Sequence, residues 1–284
     1  MVRARAEGIP TRPGPSGGAR RGKAAVGYAV LGPLAPLLAI VLAGCTAEGP
    51  SGPPPDPGAL VRAAADGDAD RVNRLLEAGA DPDAADADGR TSLTHAAYGD
   101  HAEVVRLLLD AGADVDRQDA TRANPLLSTG ETGFSDVLEE VLRADPDLSR
   151  TNRFGGTALI PASDRGHVDM VRALLRTEID VDHVNNLGWT ALLEAVILGD
   201  GGPPHQRIVR ALLQTDVDVD HVNDLGWTAL LEAVILGDGG PAHQEIVRLL
   251  VAAGARTDLA DRDGVTPLEH ALSRGYDEIA ALLG

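Results

Sequence analysis

One cysteine, Cys45, one lysine, Lys23, and only two residues each of Trp, Phe and Met are what this 284-residue chain has least of. A lone cysteine excludes an internal disulfide. Aromatics at 2% leave too few large rings for an ordinary large-core enzyme, while 44% hydrophobic and 24% charged residues exclude a disordered chain. Positive charge is scarce as well, with 25 basic against 43 acidic residues and a net charge of −18. The deficit is uneven: Arg3, Arg5, Arg12, Arg20, Arg21 and Lys23 precede residue 24, and Glu7 is the only acid before Cys45. Everything after is strongly acidic, so it repels DNA, RNA and anionic membrane faces, and a nucleic-acid role is excluded.

The basic start runs into an apolar stretch from Ala24 to Ala43 that ends in Leu42-Ala43-Gly44-Cys45. A charged region, an apolar region and a small-residue site in that order read as a signal peptide. The ending resembles the lipobox of bacterial lipoproteins, which implies cleavage before Cys45, lipidation of that residue, and an extracytoplasmic, membrane-anchored location. Residues 1–44 are then removed. An uncleaved membrane anchor is the alternative, opposed by Pro33 and Pro36 within the run. Arg20-Arg21 leaves the export route open between Sec and twin-arginine. Residues 45–57 are Pro/Gly-rich with no apolar period, a tether reaching at most about 40 Å.

From residue 58 the chain repeats itself. Helix-start signals fall at Gly58, Thr91, Asn124, Thr157, Thr190, Thr228 and Thr266, spaced by 33 residues four times and then by 38 twice. Thr or Asn caps a helix, and the Pro or small residue that follows suits its first turn. Nine residues on, Gly67, Gly133, Gly166, Gly199, Gly237 and Gly275 are positioned to end the first helix, with Gly99-Asp100 in their place in the second unit. A second apolar stretch follows in each unit, as in Val104/Leu108 and Ile246/Leu250, so the unit is helix, turn, helix. Asx and Gly residues between units, such as Asp86-Ala87-Asp88-Gly89, predict tight reversals.

This period, with starts such as Thr266-Pro267-Leu268, the Gly166-His167 turn and the endings at 75–81 and 108–114, resembles the ankyrin repeat. The resemblance covers 58–284 and implies an all-α solenoid of about seven helix–turn–helix units with short β-hairpin-like turns, which binds a protein partner and catalyses nothing. Asp145, Glu178 and Asp216 depart from it where Gly79, Gly112 and Gly254 end other second helices. A left-handed Glu178 would cost on the order of 1 kcal/mol and reshape that junction. Residues 180–210 and 218–248 are identical except at Asn186/Asp224, Pro204/Ala242 and Arg207/Glu245, so one was copied from the other. Both copies gain five residues between the turn glycine and His205 or His243, which predicts a projecting Gly/Pro loop at 200–204 and 238–242 rather than a longer helix.

Reactive constellations are not found. Asp86-Ala87-Asp88-Gly89 looks like part of a calcium loop, but Ala84 and His95 stand where oxygen ligands belong. No cysteine is present in the body for zinc, and no phosphate loop or nucleophile elbow occurs, so neither a metal nor a cofactor is expected. Glu194 and Glu232, one repeat apart, read as contact residues rather than an acid–base pair. Partner contacts in the resembled family lie on the concave side, at the turn tips and first helices, including the residue just before each Thr start. Here those are Arg90, Ala123, Gly156, Trp189, Trp227 and Val265. Both tryptophans of the chain fall there, which points to a binding patch of Trp189 and Trp227 with Asn186, Leu187, Asp224 and Leu225, flanked by Tyr98 and Ile197. The acidic charge favours a basic protein partner. A solute- or peptide-binding lipoprotein, or an accessory subunit of an envelope enzyme, are the other classes.

Overall fold

The computed structural model describes residues 56–197 and 202–284. The signal segment, Cys45, the tether up to residue 55, and residues 198–201 with Gly199 lie outside the described residues. Among those described, fourteen short helices follow in seven pairs. The first helices are α1 (Pro57–Ala65), α3 (Ser92–Tyr98), α5 (Pro125–Thr132), α7 (Leu159–Asp164), α9 (Ala191–Ile197), α11 (Ala229–Ile235) and α13 (Pro267–Arg274). The second helices are α2 (Ala69–Glu77), α4 (Ala102–Asp110), α6 (Ser135–Arg143), α8 (Val168–Leu174), α10 (Pro203–Leu212), α12 (Pro241–Ala252) and α14 (Asp277–Leu283).

No helix here is long enough to be stable alone in water, so burial between neighbours holds the array together. Each first helix packs on its own second helix and on the first helix of the next unit. Leu60, Leu93, Leu126, Leu159, Leu192 and Leu230 repeat one register position and are all essentially inaccessible. Val104, Val137, Val171, Ile208 and Ile246 close the layer from the second helices. The result is one continuous apolar core with no single centre.

The tips between units share one device. In Asp86, Asp119, Asn152, Asn185, Asn223 and Asp261 the side-chain Oδ1 accepts the backbone N–H groups of the residues two and four positions on, at 2.8–3.0 Å. One oxygen thus folds each tip. The only strand-like pairing among the described residues is an isolated bridge between Ala85 and Thr91. Further carboxylates join units: Asp83, Asp116, Asp182 and Asp220 accept the N–H groups of Asp114, Asp147, Asp218 and Arg256. Histidines do likewise from the other side, with His101, His167 and His205 donating to the carbonyls of Ala65, Glu131 and Asp164, and His183 and His221 to those of Gly155 and Gly188.

Local details depart from the sequence expectations. The first helix begins at Pro57 and is capped by Asp56, whose Oδ1 accepts from Gly58 N–H, so the unit starts slightly before residue 58. Thr91, Asn124, Thr190, Thr228 and Thr266 cap their helices, but Thr157 does not. Pro161 has no N–H to give the Thr157 carbonyl, which takes the Ile160 N–H instead, and the Thr157 hydroxyl is buried without a partner. Asp145 is left-handed like the glycines it replaces, whereas Glu178 and Asp216 are not. The hydroxyls of Thr177 and Thr215 donate to the carbonyls of Leu174 and Leu212 at 2.6 Å, so those helix ends are satisfied without a reversal.

The five added residues of the fifth and sixth units are the larger correction. The last two of the five lengthen the second helix: α10 and α12 start at Pro203 and Pro241, ahead of His205 and His243, with proline in the first turn, while residues 200–201 lie outside the described residues. In the sixth unit the remainder does not project freely. Asp238 accepts from Gly240 N–H and pairs with His243 Nδ1, Gln244 donates to the Gly239 carbonyl, and the Tyr276 hydroxyl donates to the Gly237 carbonyl.

Candidate binding face

At the third residue before each helix start, the tips carry Asp88 and Thr121, then Phe154, Leu187 and Leu225, then Asp263. The three apolar members are 54%, 52% and 49% exposed, and Val184 and Val222 add exposed surface beside them. An apolar strip therefore spans three consecutive units and stops on a polar residue at each end. Scattered apolar residues are ordinary on a surface, but a strip held in register by the repeat is not.

Behind this strip the tips meet the first helices at a cavity of about 170 Å³. Phe154, Ile160, Pro161 and Leu187 form its apolar wall, and Glu131, Asp164, Arg165 and Glu194 its charged one. Glu194 is 6% exposed, and its Oε1 accepts from Asn185 Nδ2 at 3.2 Å. Burial, and then the negative charge of Asp164, push its carboxyl up to about 7 against the lowering effect of Asn185. One unit on, Glu232 is 1% exposed and accepts from Asn223 Nδ2 at 2.6 Å. Burial and the neighbouring Glu194 push it up to about 9, and its Oε2 has no hydrogen-bond partner. These carboxyls lie on equivalent positions of stacked helices, and in each Oε1 accepts from the amide of the tip asparagine, which ties helix to tip.

The structure divides the expected patch. Leu187, Leu225, Asn186 and Asp224 are exposed at the tips. Trp189 and Trp227 are only half-buried neighbours of that strip; Trp189 packs against the core, and its indole Nε1 is buried without a partner. Ile197 packs inward on the core. Tyr98 sits apart in an earlier unit, where its hydroxyl donates to Glu131 Oε2 at 3.1 Å and Arg90 lies 5.0 Å over its ring. Phe154 belongs to the strip and was not expected from sequence. Its signal was the alternation of residue type at one register position, which a search for large aromatics before the Thr starts passes over.

Stacked helix pairs joined by Asx-closed tips, with no strand and no enclosed site among the described residues, define a helical repeat solenoid. The chain belongs to the ankyrin-repeat family: residues 60–150, 126–222 and 201–284 match the family described as ankyrin repeats (3 copies). An ankyrin repeat domain from Acinetobacter baumannii is 39% identical, with a TM-score of 0.58 over 80% of this chain and 97% of that one. A second solved ankyrin repeat protein is 31% identical, with a TM-score of 0.55 over 81% and 98% of the two chains. The ankyrin repeat domain of Bcl-3, a member of the IkappaB protein family, is 28% identical with a TM-score of 0.68, over 79% and 97%. No curated protein matches the chain. Ankyrin repeats are in general modules of protein–protein interaction and not of catalysis.

Proposed function

We propose that this chain is an exported, lipid-anchored ankyrin array that binds a protein partner through the concave face formed by tips and first helices of its fourth to sixth units. The observation that carries the reading is the strip of Phe154, Leu187 and Leu225, exposed on three successive tips and bounded by polar residues at the same position. Its area suits an apolar segment of a partner, with Trp189 and Trp227 supporting it from behind. Glu131, Asp164 and Glu194 beside the strip favour a basic residue in that segment, and the net charge of −18 speeds its encounter at low salt. Cys45 supplies the anchor, and the Pro/Gly tether holds the array near the membrane surface on the extracytoplasmic side.

The test is capture from a cell-envelope extract with the full chain, tagged at its C-terminus, beside a Leu187→Ser, Leu225→Ser variant. Both leucines are about half exposed, so the variant keeps its fold, checked by circular dichroism. One protein held by the wild type and lost by the variant supports the reading. Equal capture by both moves the contact off the strip. Membrane fractionation of a Cys45→Ala chain tests the anchor, with retention in the membrane fraction counting against lipidation.

A further inference from the structure

The second helices carry a charge pattern that the binding face does not use. At one register position of the second helices, two residues after the turn residue that His101, His167, His205 and His243 occupy, stand Asp70, Glu103, Asp136, Asp169, Arg207, Glu245 and Glu278 in chain order. Six units place an acid there, and only the fifth reverses the sign. The reversal is one of the three differences between the two copied units, so the sixth unit is an internal control for the fifth.

The consequence is local. Between α8 and α10 lies a groove of about 290 Å³ lined by Arg172, Arg176, Arg207 and Arg210 with Gln214 and Thr215, and no carboxylate lines it. The equivalent positions on α10 and α12, 38 residues on, are Arg210, Gln214, Glu245 and Arg248. There Glu245 pairs with Arg210 at 3.0 Å and also with Arg248, so Arg210 is shared between that carboxylate and the α8–α10 groove, and Arg172, Arg176 and Arg207 are the groove's less compensated charges. Earlier junctions are mixed in the same way, with Arg143 lying between Asp110 and Glu140. In the α8–α10 groove, Arg172 has only Asp169 at 3.9 Å, and Arg176 and Arg207 pair with no carboxylate among the described residues. Arg207 donates instead to the Pro203 carbonyl. Arg207 and Arg210, three residues apart on α10, share a helix face, and Arg172 on α8 with Arg176 in the turn after it line the other side, so each side of the groove presents two guanidiniums.

We propose that the α8–α10 groove binds a phosphate-bearing ligand, whose oxyanions are held by Arg172, Arg176, Arg207 and Arg210. Guanidinium groups present fork-shaped pairs of N–H donors that match phosphate oxygens, and several of them meet more than one negative charge. Like charges gathered in a chain that is otherwise acidic repel one another, and a multiply charged anion relieves that repulsion. Gln214 and Thr215 add neutral polar side chains at the rim. No residue of the strip of Phe154, Leu187 and Leu225 lines this groove, so the proposal is independent of the partner reading.

The full chain is titrated with inorganic pyrophosphate, followed by calorimetry, beside Arg207→Glu and Glu245→Arg. Arg207→Glu recreates the pairing already present at Glu245 and so preserves the fold, whereas Glu245→Arg extends the unpaired run into the next groove. The expected results are binding by the wild type, weakening of about tenfold or more in Arg207→Glu, and tightening in Glu245→Arg. A second arm compares co-sedimentation of the chain and Arg207→Glu with phosphatidylglycerol and phosphatidylcholine vesicles. A loss confined to the anionic vesicles assigns the phosphate to a lipid headgroup, and a difference seen with pyrophosphate alone assigns a soluble ligand. Wild type and Arg207→Glu behaving alike in both arms overturns the proposal.

Discussion

Asn223 holds the carboxyl of Glu232 at 2.6 Å, and in the next unit the same two positions are Asp261 and His270, 2.7 Å apart. Asp86 and His95 form the same pair in the second unit at 2.8 Å. Tip and helix have exchanged roles together. An Asp at the tip accepts a proton-bearing ring, and an Asn at the tip donates to a carboxyl, so the closure survives with its charge removed. Changing one partner alone would leave two donors or two acceptors face to face.

Glu232→Gln tests the buried end of this pair. Its carboxyl titrates at about 9 in the fold against an ordinary 4.5, so between those values the folded chain keeps a proton that the unfolded chain has released. Stability therefore falls as pH rises through that window and is unaffected below it. The expected outcome is a gain on the order of 1–3 kcal/mol at pH 8 and almost none at pH 4, read from denaturant midpoints. An equal gain at both pH values would mean that packing, and not the proton, is responsible.

Asp261 behaves in the opposite sense. The Val265 N–H first, and His270 after it, hold its carboxyl below the ordinary 3.8, so it contributes stability that is lost as pH falls through the lowered value. Replacing both partners with those of the copied units, Asp261→Asn with His270→Glu, keeps the closure and removes this dependence. Acid unfolding followed by circular dichroism should then begin at lower pH than in the wild type.

The two tryptophans, whose local sequences differ only at Asn186/Asp224, should differ in their contribution to stability. Trp189 packs against the core and Trp227 is not part of that cluster. Trp189→Ala is expected to cost roughly 3 kcal/mol, the low end for a buried ring, and Trp227→Ala clearly less, measured by urea unfolding. Equal losses would show that the copied units pack alike.

Arg122 is left-handed, with φ of 62°, at the tip position that Gly89, Gly155, Gly188, Gly226 and Gly264 fill elsewhere. Arg122→Gly relieves that backbone and loses an exposed hydrogen bond to Thr151. The net expectation is a gain of up to about 1 kcal/mol in thermal unfolding.

The repeat was legible because its markers act locally. Thr266 and Glu269 close a reciprocal cap within four residues of chain, and the Asx tips close over five, so sequence spacing alone reveals them. What the sequence concealed depends on the neighbouring unit. Thr157 reads as a cap until Pro161 removes a donor one turn later. The added residues at 238–242 read as a projecting loop because nothing nearby announces that Tyr276, in the next unit, takes hold of Gly237. The half-burial of Trp189 and Trp227 is likewise not written in their spacing, since it comes from packing beyond their own tips. Glu194 and Glu232 read as contact residues, and their burial is not visible in the sequence because it comes from the stack and not from their own helices.

The bonds between units join like to like. His183 and His221 donate to Gly155 and Gly188, and Asp182 and Asp220 accept from Asp218 and Arg256, each reaching the corresponding atom of the adjacent layer. A segment copied whole therefore arrives with both halves of its connections, a donor for the layer behind and an acceptor for the layer ahead. Lengthening such a protein requires no invention at the seam, and a third copy of residues 190–227 set after the second would find its place already prepared. The two copies have begun to diverge at Arg207 and Glu245 on the second helices, where a changed charge decides which neighbouring arginines are paired and so what the array can meet.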